Sequence, residues 1–289
     1  MNIQWYPGHM TKARRSMQED IRLIDLIVEL VDARAPLASR NPDIDELGKG
    51  KARLILLNKS DLAQEQWNIA WTQWFREKGF FVIEANSRSG AGLKKINAVV
   101  QEACQEKLER DRRRGILNRP VRAMVAGIPN VGKSTFINSF AGKACTKTGN
   151  RPGVTKGKQW IRLNQSLELL DTPGILWPKF EDPQVGILLA LLGSINDEIL
   201  DRDELALEML KLLQSHYPKV LKERYEITDM EMAPVKMLEN IAAVRGCLMK
   251  GGNWDLSKAA RLLLDDFRSG KLGRITLEIP DEKQFSDTI

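Results

Sequence analysis

The sequence contains few cysteines and no long apolar segment. Its three cysteines, Cys104, Cys145 and Cys247, lie far apart and outside any C-x-x-C or Cys/His pattern. That spacing argues against a disulfide framework and a cysteine-based metal site, and it favours a reducing compartment. No apolar run approaches membrane-spanning length, and the N-terminus MNIQWYPGHMTKARR lacks the apolar core of a signal peptide. We therefore predict a cytoplasmic protein without membrane contact.

The rest of the composition is that of an ordinary folded protein. Apolar residues make up 43% and charged residues 28% of the 289 positions, so a hydrophobic core can form. The length allows roughly two domains. A formal net charge of +6 favours an anionic partner, although an excess of this size is also compatible with simple solubility.

The strongest motif lies within Val121–Phe136, VRAMVAGIPNVGKSTF. An apolar run at its start predicts a buried strand, and a helical pattern begins at Lys133. Between them lies G-x-x-x-x-G-K-S, a phosphate-binding loop, in which Gly127 and Gly132 let backbone N–H groups converge on phosphate oxygens. Lys133 would reach the β- and γ-phosphates, and the Ser134 hydroxyl would bind Mg²⁺. An ordinary glycine-rich turn is the alternative, but the flanking strand and helix favour the phosphate loop.

A second motif, Asn58-Lys59-Ser60-Asp61, follows an apolar run over 53–57 that predicts a buried strand. Ligands of open parallel sheets bind at the carboxyl ends of strands. The Asp61 carboxylate can accept the N1–H and N2–H groups of guanine, and the Asn58 amide can donate to its O6/N7 edge. Adenine has no 2-amino group and would leave the carboxylate unpaired. Such four-residue turns are common, but together with a phosphate loop this one predicts guanine-nucleotide binding.

Three less specific features lie between these motifs. A strand predicted over 80–83 leads into Glu84-Ala85-Asn86-Ser87, whose backbone N–H groups can contact the guanine O6. The helix predicted over 64–78 carries tryptophans at helical spacing, which we assign to core packing rather than base stacking. A helix predicted over 93–109 runs into an arginine-rich stretch over 110–122. Such a stretch is usually a solvated linker, and an RNA-backbone role is the secondary alternative.

Two further segments follow the phosphate loop. The stretch 145–155 is polar and rich in glycine and proline, and it ends at Thr155, which would reach Mg²⁺ and the γ-phosphate when the loop orders. A strand predicted over 167–170 leads into Asp171-Thr172-Pro173-Gly174, where Asp171 would hold Mg²⁺ through water and the Gly174 N–H would sense the γ-phosphate. As an isolated turn this tetrapeptide is unremarkable. Its position makes it the third part of one site.

The predicted nucleotide site is therefore a defined set of residues. Its nucleotide-binding members are Asn58, Lys59, Ser60, Asp61, Asn86, Ser87, Asn130, Val131, Gly132, Lys133, Ser134, Thr135, Thr155 and Gly174. Its Mg²⁺ ligands are Ser134, Thr155 and, through water, Asp171.

The motifs GIPNVGKS, NKSD and DTPG together resemble those of translation-factor-class GTPases, except that the guanine motif precedes the phosphate loop. This order is similar to that of circularly permuted GTPases. With WYPGHM near the N-terminus, DARAP at 32–36 and a helical tail, nearly the whole chain resembles ribosome biogenesis GTPase A, the YlqF-type group. The stretch EANS departs from the Ser-Ala form that is more usual at that position.

The resemblance implies a circularly permuted α/β P-loop GTPase domain over 1–178 and a small all-helical domain over 179–289 that binds RNA or the ribosome. It implies a monomer that binds a late precursor of the large ribosomal subunit in the GTP state and leaves after particle-stimulated hydrolysis to GDP. Because the D-T-P-G turn continues directly into the second domain, we expect that connection to transmit the nucleotide state.

The hydrolytic group is not specified by the motifs. Ile175 occupies the position where many GTPases carry a water-orienting glutamine, and an isoleucine cannot hydrogen-bond water, so slow intrinsic turnover is expected. The chain has two histidines, and the resemblance points to His9 rather than His216 as catalytic. The alternative is an ordinary packed or exposed loop histidine. Asn130 stands where related GTPases bind K⁺, with loop rigidity as the alternative.

The helical patterns of the tail carry basic residues on their polar faces: Lys236, Arg245, Lys250, Lys258, Arg261, Arg268, Lys271 and Arg274. Solvation is the default role of such charges, but beside a GTPase domain an RNA phosphate surface is expected. An RNA-binding scaffold with GTP as a structural ligand is the alternative function, favoured by Ile175 and opposed by Thr155 and Asp171. An ATPase or kinase is disfavoured by the guanine motif.

Overall fold

The computed structural model describes residue 3 and residues 5–116, 119–146 and 159–280. The chain divides into two compact units. The sheet unit comprises Trp5–Lys179 and the chain from Glu278 onward, and the helical unit comprises Phe180–Leu277 and the residues before Trp5. The chain therefore leaves the sheet unit after Lys179 and returns to it at Glu278.

The described part of the sheet unit contains a six-stranded sheet of order β3-β2-β1-β4-β6-β5, in which only β5 is antiparallel to its neighbour. Its strands are β1 (Leu26–Asp32), β2 (Ala52–Asn58), β3 (Phe81–Glu84), β4 (Val121–Gly127), β5 (Gln159–Arg162) and β6 (Leu167–Asp171). Its helices are α1 (Gly8–Asp20), α2 (Asp43–Leu47), α3 (Glu65–Glu77), α4 (Ile96–Ala103), α5 (Gln105–Arg113) and α6 (Lys133–Ala141). Every residue of β1 is buried, as expected of a central parallel strand covered on both faces.

The strand register brings the predicted motifs to one edge of the sheet. Asp32 at the end of β1 pairs with Asn58 at the end of β2, and Gly127 at the end of β4 pairs with Leu30. Asp171 at the end of β6 pairs with a residue of β4. The chain runs from β1 to β2 and β3 on one side, whereas β4 lies on the other side of β1. Such a reversal of strand order creates the crevice in which α/β sheets bind ligands.

The aromatic stripe of α3 packs into the core, which confirms the prediction from its spacing. Trp71 and Phe75 are fully buried, and Trp74 contacts the Trp71 ring edge-on at a centroid distance of 5.5 Å. Val82 of β3 and Leu57 of β2 belong to the same cluster. The tryptophans therefore attach α3 to the sheet and do not form a base-stacking surface.

One predicted helix is divided. The helix expected over 93–109 consists of a short 3₁₀ turn, then α4, and then α5, with Cys104 between the two helices at φ −107° and ψ 12°. Hydrogen bonds of the helical type continue across the bend, from Cys104 N–H to the Val100 carbonyl and from Leu108 N–H to the Cys104 carbonyl. Beyond the bend, the Lys107 ammonium of α5 lies 3.4 Å from the Asp25 carboxylate. Helical periodicity reveals neither the bend nor this tertiary ion pair.

The helical unit contains α7 (Pro183–Leu191), α8 (Arg202–His216), α9 (Pro218–Tyr225), α10 (Pro234–Val244) and α11 (Leu256–Arg268). The starts predicted at Pro234 and Asp255 are confirmed, and the Asp255 carboxylate caps α11 by accepting the Lys258 N–H. The buried Asp266 of α11 accepts hydrogen bonds from Arg224 at 2.9 Å and from the Tyr225 hydroxyl at 3.1 Å. None of the helices in the described part of the chain combines the length and apolar character that spanning a membrane requires.

The returning chain is fastened to the sheet unit at Glu278. Its carboxylate accepts the backbone N–H groups of Leu37 at 2.7 Å and Ala38 at 2.9 Å, and its carbonyl accepts the Trp71 indole N–H at 3.0 Å. Burial raises the pKa of the Glu278 carboxyl to about 7, although the two donated N–H groups act in the opposite direction. One side chain thus supplies acceptors to two otherwise orphaned backbone groups of the loop after β1.

We predict that Glu278→Gln lowers the free energy of unfolding by about 1–3 kcal/mol, because the glutamine amide nitrogen cannot accept the second N–H and leaves a backbone donor unpaired. Urea unfolding followed by circular dichroism measures the change. Glu106→Gln, at an exposed position of α5, is the matched control and should leave stability within about 0.5 kcal/mol of the wild type. Equal effects of the two substitutions would contradict the role of Glu278.

Candidate nucleotide-binding site

The loop between β4 and α6 can be formed only with glycine at two positions. Gly127 has a φ of 149°, and a Cβ there would lie 2.7 Å from the Leu30 carbonyl oxygen. Gly132 has a φ of 104°, and a Cβ there would collide with the Asn58 amide nitrogen. The loop is therefore held close against β1 on one side and against the guanine motif on the other.

Lys133 is the first residue of α6, and its side chain reaches back to this loop. Its ammonium donates to the carbonyl oxygens of Gly127 at 3.1 Å and Ile128 at 2.9 Å. Burial lowers the pKa of Lys133 to about 8, and the negative charge of Asp171 opposes that effect. An anion placed beside the ammonium would stabilise its charged form further. The loop thus holds a cation at the N-terminus of α6, where the backbone dipoles also favour negative charge.

Asp171 is the matching buried acid. Burial raises the pKa of its carboxyl to about 6, while Lys133 and the Thr172 N–H act to lower it. Oxygen Oδ1 has no hydrogen-bond partner among the described residues, and the residue is 1% exposed. A buried carboxylate oxygen without a partner is costly unless a ligand or cation satisfies it. Ser134 lies in the first turn of α6, and a hydroxyl together with a carboxylate is a set of oxygen donors that suits a hard cation.

The Asn58 side chain connects the guanine motif to two other loops. Its amide nitrogen donates to the Val131 carbonyl at 2.7 Å, and its amide oxygen accepts the backbone N–H of Ser87 at 3.0 Å and the Ser87 hydroxyl at 2.7 Å. Asn58 is 2% exposed. The structure thus directs its amide toward protein groups rather than toward an open base pocket, and the hydrogen bond to a guanine edge that we expected from Asn58 stays untested.

Lys59 makes a second connection to the phosphate loop. Its backbone is left-handed, at φ 57°, and its ammonium donates to the Asn130 carbonyl at 3.0 Å and pairs with the Asp32 carboxylate at 2.8 Å. The guanidinium of Arg34 also pairs with Asp32 at 2.8 Å. Burial alone would raise the pKa of Asp32, but Arg34 and Lys59 hold it well below its usual range. Asp32 therefore fixes the lysine that holds the loop.

Asp61 is the exposed member of the guanine motif. No described residue hydrogen-bonds to its carboxylate, so the group is available to a ligand. Ser60 instead faces the protein, and its N–H and hydroxyl both donate to the Ala85 carbonyl at 3.1 Å. Of the four motif residues, Asp61 is the one whose side chain the structure leaves to a bound molecule.

Asn86 and Ser87 have different roles in the loop after β3. The Asn86 side chain accepts the N–H groups of Arg88 at 2.9 Å and Ser89 at 3.0 Å, which forms a local turn. Ser87 is buried and hydrogen-bonded to Asn58. Both side chains shape the loop, so a contact with the base would come from its backbone.

The D-T-P-G turn packs directly on the phosphate loop. The Thr172 hydroxyl donates to the Val125 carbonyl at 2.7 Å. A Cβ at Gly174 would lie 2.8 Å from both the Lys133 ammonium and the Pro129 Cα, so only glycine fits. The next residue, Ile175, is 1% exposed, and its carbonyl accepts the Asn41 amide at 3.2 Å. Its side chain belongs to the core and cannot orient water.

His9 lies in the first turn of α1 and is exposed. The adjacent Met10 is fully buried, and its sulfur accepts the Leu176 N–H at 3.5 Å. His9 is therefore adjacent in sequence to a residue that contacts the segment after the D-T-P-G turn.

Thr155 lies outside the described residues. Asn130 has a left-handed φ of 57°, and the nearest fixed cation that its carbonyl contacts is the Lys59 ammonium.

Three residues with contacts in this region were not assigned roles from the sequence. Asp32 pairs with Lys59, Asn41 donates to the Ile175 carbonyl, and the Met10 sulfur accepts the Leu176 N–H. A signal was available for Asp32 alone, since it ends a predicted strand at the edge where ligands bind. The other two contacts join residues more than a hundred positions apart, and no local pattern marks such a pair.

Comparisons with known proteins agree on one class. The model of a family described as 50S ribosome-binding GTPase matches residues 122–240. The Bacillus cereus protein named Ribosome biogenesis GTPase A is 49% identical over 98% of this chain and 95% of its own length. The Thermotoga maritima protein of the same name is 32% identical over 97% of this chain and 95% of its own length.

Solved structures give the same result. The crystal structure of GNP-bound YlqF from T. maritima matches with a TM-score of 0.65 and 29% identity, over 93% of this chain and 99% of that chain. The GDP-bound structure of the T. maritima protein matches with a TM-score of 0.64 and 28% identity, over 92% and 99%.

We predict that Asn58→Ala lowers the free energy of unfolding by about 2–4 kcal/mol, because it removes three hydrogen bonds of a buried amide and leaves their partners unpaired. The phosphate loop and the 84–87 loop lose their connection, so the affinities for GTP and GDP should fall together. Thermal unfolding and titration with fluorescent nucleotides measure both effects. Asn253→Ala, at an exposed position of the helical unit, is the control. Unchanged melting and binding of the Asn58 variant would refute the connecting role.

Proposed function

The chain belongs to the ribosome biogenesis GTPase A family, and from that membership we propose that it hydrolyses GTP to GDP on a late precursor of the large ribosomal subunit. That it is a GTPase acting in ribosome biogenesis follows from the family. The proposal adds the particle, the stage of assembly and the stimulation of hydrolysis by the particle. Its GTP-binding part is supported by the convergence of the guanine motif, the phosphate loop and the D-T-P-G turn at one edge of the sheet, and its ribosomal part by the family.

The proposed nucleotide contacts follow from which groups the protein leaves available. The Asp61 carboxylate binds the N1–H and N2–H of guanine, and the backbone of the 84–87 loop approaches O6. Backbone N–H groups from Asn130 to Thr135 and the Lys133 ammonium bind the phosphates. Val131 is buried and contributes its backbone alone. Asn58, Lys59, Ser60, Asn86 and Ser87 act mainly by holding the loops in place, since their side chains bond protein groups.

Mg²⁺ fits the donors that the sheet unit offers. Oxygen Oδ1 of the buried Asp171 lacks a partner among the described residues, and Ser134 supplies a hydroxyl at the start of α6. We propose that Ser134 binds the ion directly and that Asp171 binds it through water, with Thr155 as a third ligand. When bound, Mg²⁺ neutralises charge that develops between the β- and γ-phosphates. A K⁺ ion beside Asn130 stays a prediction.

Hydrolysis needs a group other than the residue after the D-T-P-G turn, because Ile175 is buried in the core. We propose His9, whose neighbour Met10 contacts the Leu176 N–H and whose own side chain is exposed. His9 would orient the attacking water once the particle positions the N-terminal segment. The chain alone would then turn over slowly, and the particle would set the timing of release.

The particle contact is supported by the family description and by basic side chains of the helical unit. Arg245 and Arg268 are half-buried and pair with Asp266 and Asp197. Six basic residues are exposed: Lys236 and Lys271, which also pair with Glu239 and Asp266, and Lys250, Lys258, Arg261 and Arg274. We propose that the exposed group contacts RNA phosphates, which predicts binding that weakens steeply with salt.

We predict that Asp61→Asn weakens GTP binding at least 100-fold, because the amide cannot accept both guanine N–H groups. Affinity for xanthosine triphosphate should rise relative to GTP, since the xanthine O2 accepts a hydrogen bond from the new amide. Competition against a fluorescent guanine nucleotide measures both, with ATP as the discrimination control. Equal affinity of the wild-type chain for ATP and GTP would overturn the guanine assignment.

A second prediction concerns the catalytic group. Large-subunit precursor particles should raise the GTP hydrolysis rate of the wild type, and His9→Ala should lose that stimulation while still binding GTP. His216→Ala changes the other, exposed histidine, which lies at the end of α8, and should behave as the wild type. Phosphate release at fixed salt, with and without particles, is the measurement. If particles stimulate neither protein, the alternative holds that the chain is an RNA-binding scaffold with GTP as a structural ligand.

A further inference from the structure

An exposed tryptophan on the antiparallel edge strand of the sheet unit has no role in the nucleotide site. Trp160 of β5 is 40% exposed and lies with Arg162 on the same face of the strand. Both line a shallow depression of about 430 Å³ with Leu23, Arg122 and Glu168. Large exposed aromatic side chains grouped with arginines mark interaction sites more often than solvated surface.

The strand register explains why these side chains meet. Arg122 of β4 pairs with Glu168 of β6, and Glu168 pairs with Arg162 of β5, so the three form one row across the sheet. Arg122 and Glu168 stand at the second positions of their parallel strands. The depression therefore lies toward the amino ends of those strands, whereas the nucleotide motifs follow their carboxyl ends.

The ring of Trp160 is held by a cation. The Arg122 guanidinium carbon lies 5.2 Å from the ring centroid, and the guanidinium also pairs with Glu168 at 3.3 Å. Such a contact fixes the ring at low entropic cost while part of it stays exposed. Glu168 offsets one arginine of the depression, and Arg162 remains exposed beside the tryptophan.

Basic residues of α5 and of the start of β4 meet at Asp25. Asp25 accepts the Arg122 N–H at 3.0 Å and lies 3.6 Å from Arg119 and 3.4 Å from Lys107 of α5. Asp25 therefore holds α5 and the start of β4 at one point. Arg110, Arg112 and Arg113 of α5 and Arg114 directly after it are exposed, and all four follow Lys107 within seven residues. The basic end of α5 and Arg122 of the depression are therefore both connected to Asp25.

We propose that Trp160, Arg122, Arg162 and the basic end of α5 form an RNA-binding surface on the sheet unit, where an unstacked base lies on Trp160 and arginines bind the adjoining phosphates. The inference rests on the proposed function, since a ribosomal precursor presents such RNA. An aromatic platform flanked by arginines is the chemistry that binds single-stranded RNA. The surface would act in addition to the helical unit and would contact RNA from the unit that binds the nucleotide.

The test uses the full chain and a short fluorescein-labelled single-stranded oligouridylate, with fluorescence anisotropy read at several KCl concentrations. Trp160→Ala should weaken binding roughly 5- to 100-fold with little change in the salt dependence, because stacking is not ionic. Trp160→Phe should retain most of the affinity. Ile69→Ala, which truncates another exposed apolar side chain of the sheet unit, is the control.

Arg162→Gln should give the complementary result. Removal of one phosphate contact lowers the slope of log affinity against log salt by about 0.7 for a single strand. Arg76→Gln makes the same charge change at an exposed position of α3 and should leave the slope unaltered. A duplex of the same length should bind more weakly than the single strand, since its bases are already stacked.

Photocrosslinking of wild-type chain to a 4-thiouridine oligonucleotide locates the contact independently of any substitution. Crosslinks at the peptide that contains Trp160 support the proposal. Crosslinks confined to the helical unit, together with unchanged affinity of Trp160→Ala, would overturn it. So would absence of oligouridylate binding by the wild type, which would leave a protein strand as the occupant of the β5 edge.

These results are separable from those for the proposed function. Hydrolysis of GTP without particles should be the same in Trp160→Ala and wild type. Failure of particles to stimulate the wild type contradicts the proposed function whether or not Trp160 binds RNA.

Discussion

The two side-chain connections from the guanine motif to the phosphate loop are the interactions on which the site depends. Asn58 donates to the Val131 carbonyl and Lys59 donates to the Asn130 carbonyl, so two adjacent residues of the loop backbone are held by side chains at the end of β2 and directly after it. The predicted guanine motif and the predicted phosphate loop are thus hydrogen-bonded directly to each other, although more than sixty residues separate them in the chain.

Buried charge maintains this arrangement. The Asp32 carboxylate forms ion pairs with two cations, Arg34 and Lys59. The positive charge of Lys133 interacts with the negative charge of the buried Asp171. Removal of one partner from such a group leaves an uncompensated charge in a low-dielectric interior, which typically costs 3–5 kcal/mol. Burial lowers the pKa of Lys133 to about 8 and raises the pKa of Asp171 to about 6, so it disfavours the charged form of both groups.

The segment after the D-T-P-G turn connects the site to the rest of the sheet unit. Gly174 packs against Lys133, Ile175 enters the core, and Leu176 contacts Met10 beside His9. A γ-phosphate that displaced this turn would also act on the start of α1, because Leu176 contacts Met10 there. The chain then continues toward Phe180, where the helical unit begins, and Glu278 fastens the returning chain beside the loop that carries Asp32.

The sequence by itself determined the strands that precede each motif and the tryptophan stripe of α3, and it predicted Asp61, Lys133, Ser134 and Asp171 as residues of the proposed site. These follow from local periodicity and from short motifs whose functional residues are close together in the sequence. It failed to anticipate α7 and α9, although Asp182-Pro183 is a recognisable cap and first helical residue. Only the tertiary structure decided that Asn58 bonds Val131 and Ser87, that Cys104 bends the helix before the phosphate strand, that Trp160 stays exposed, and that Glu278 returns to the sheet unit. Each of these depends on which residues from distant parts of the chain become neighbours in the fold. The strand order of the sheet determines those neighbours, and no local pattern encodes that order.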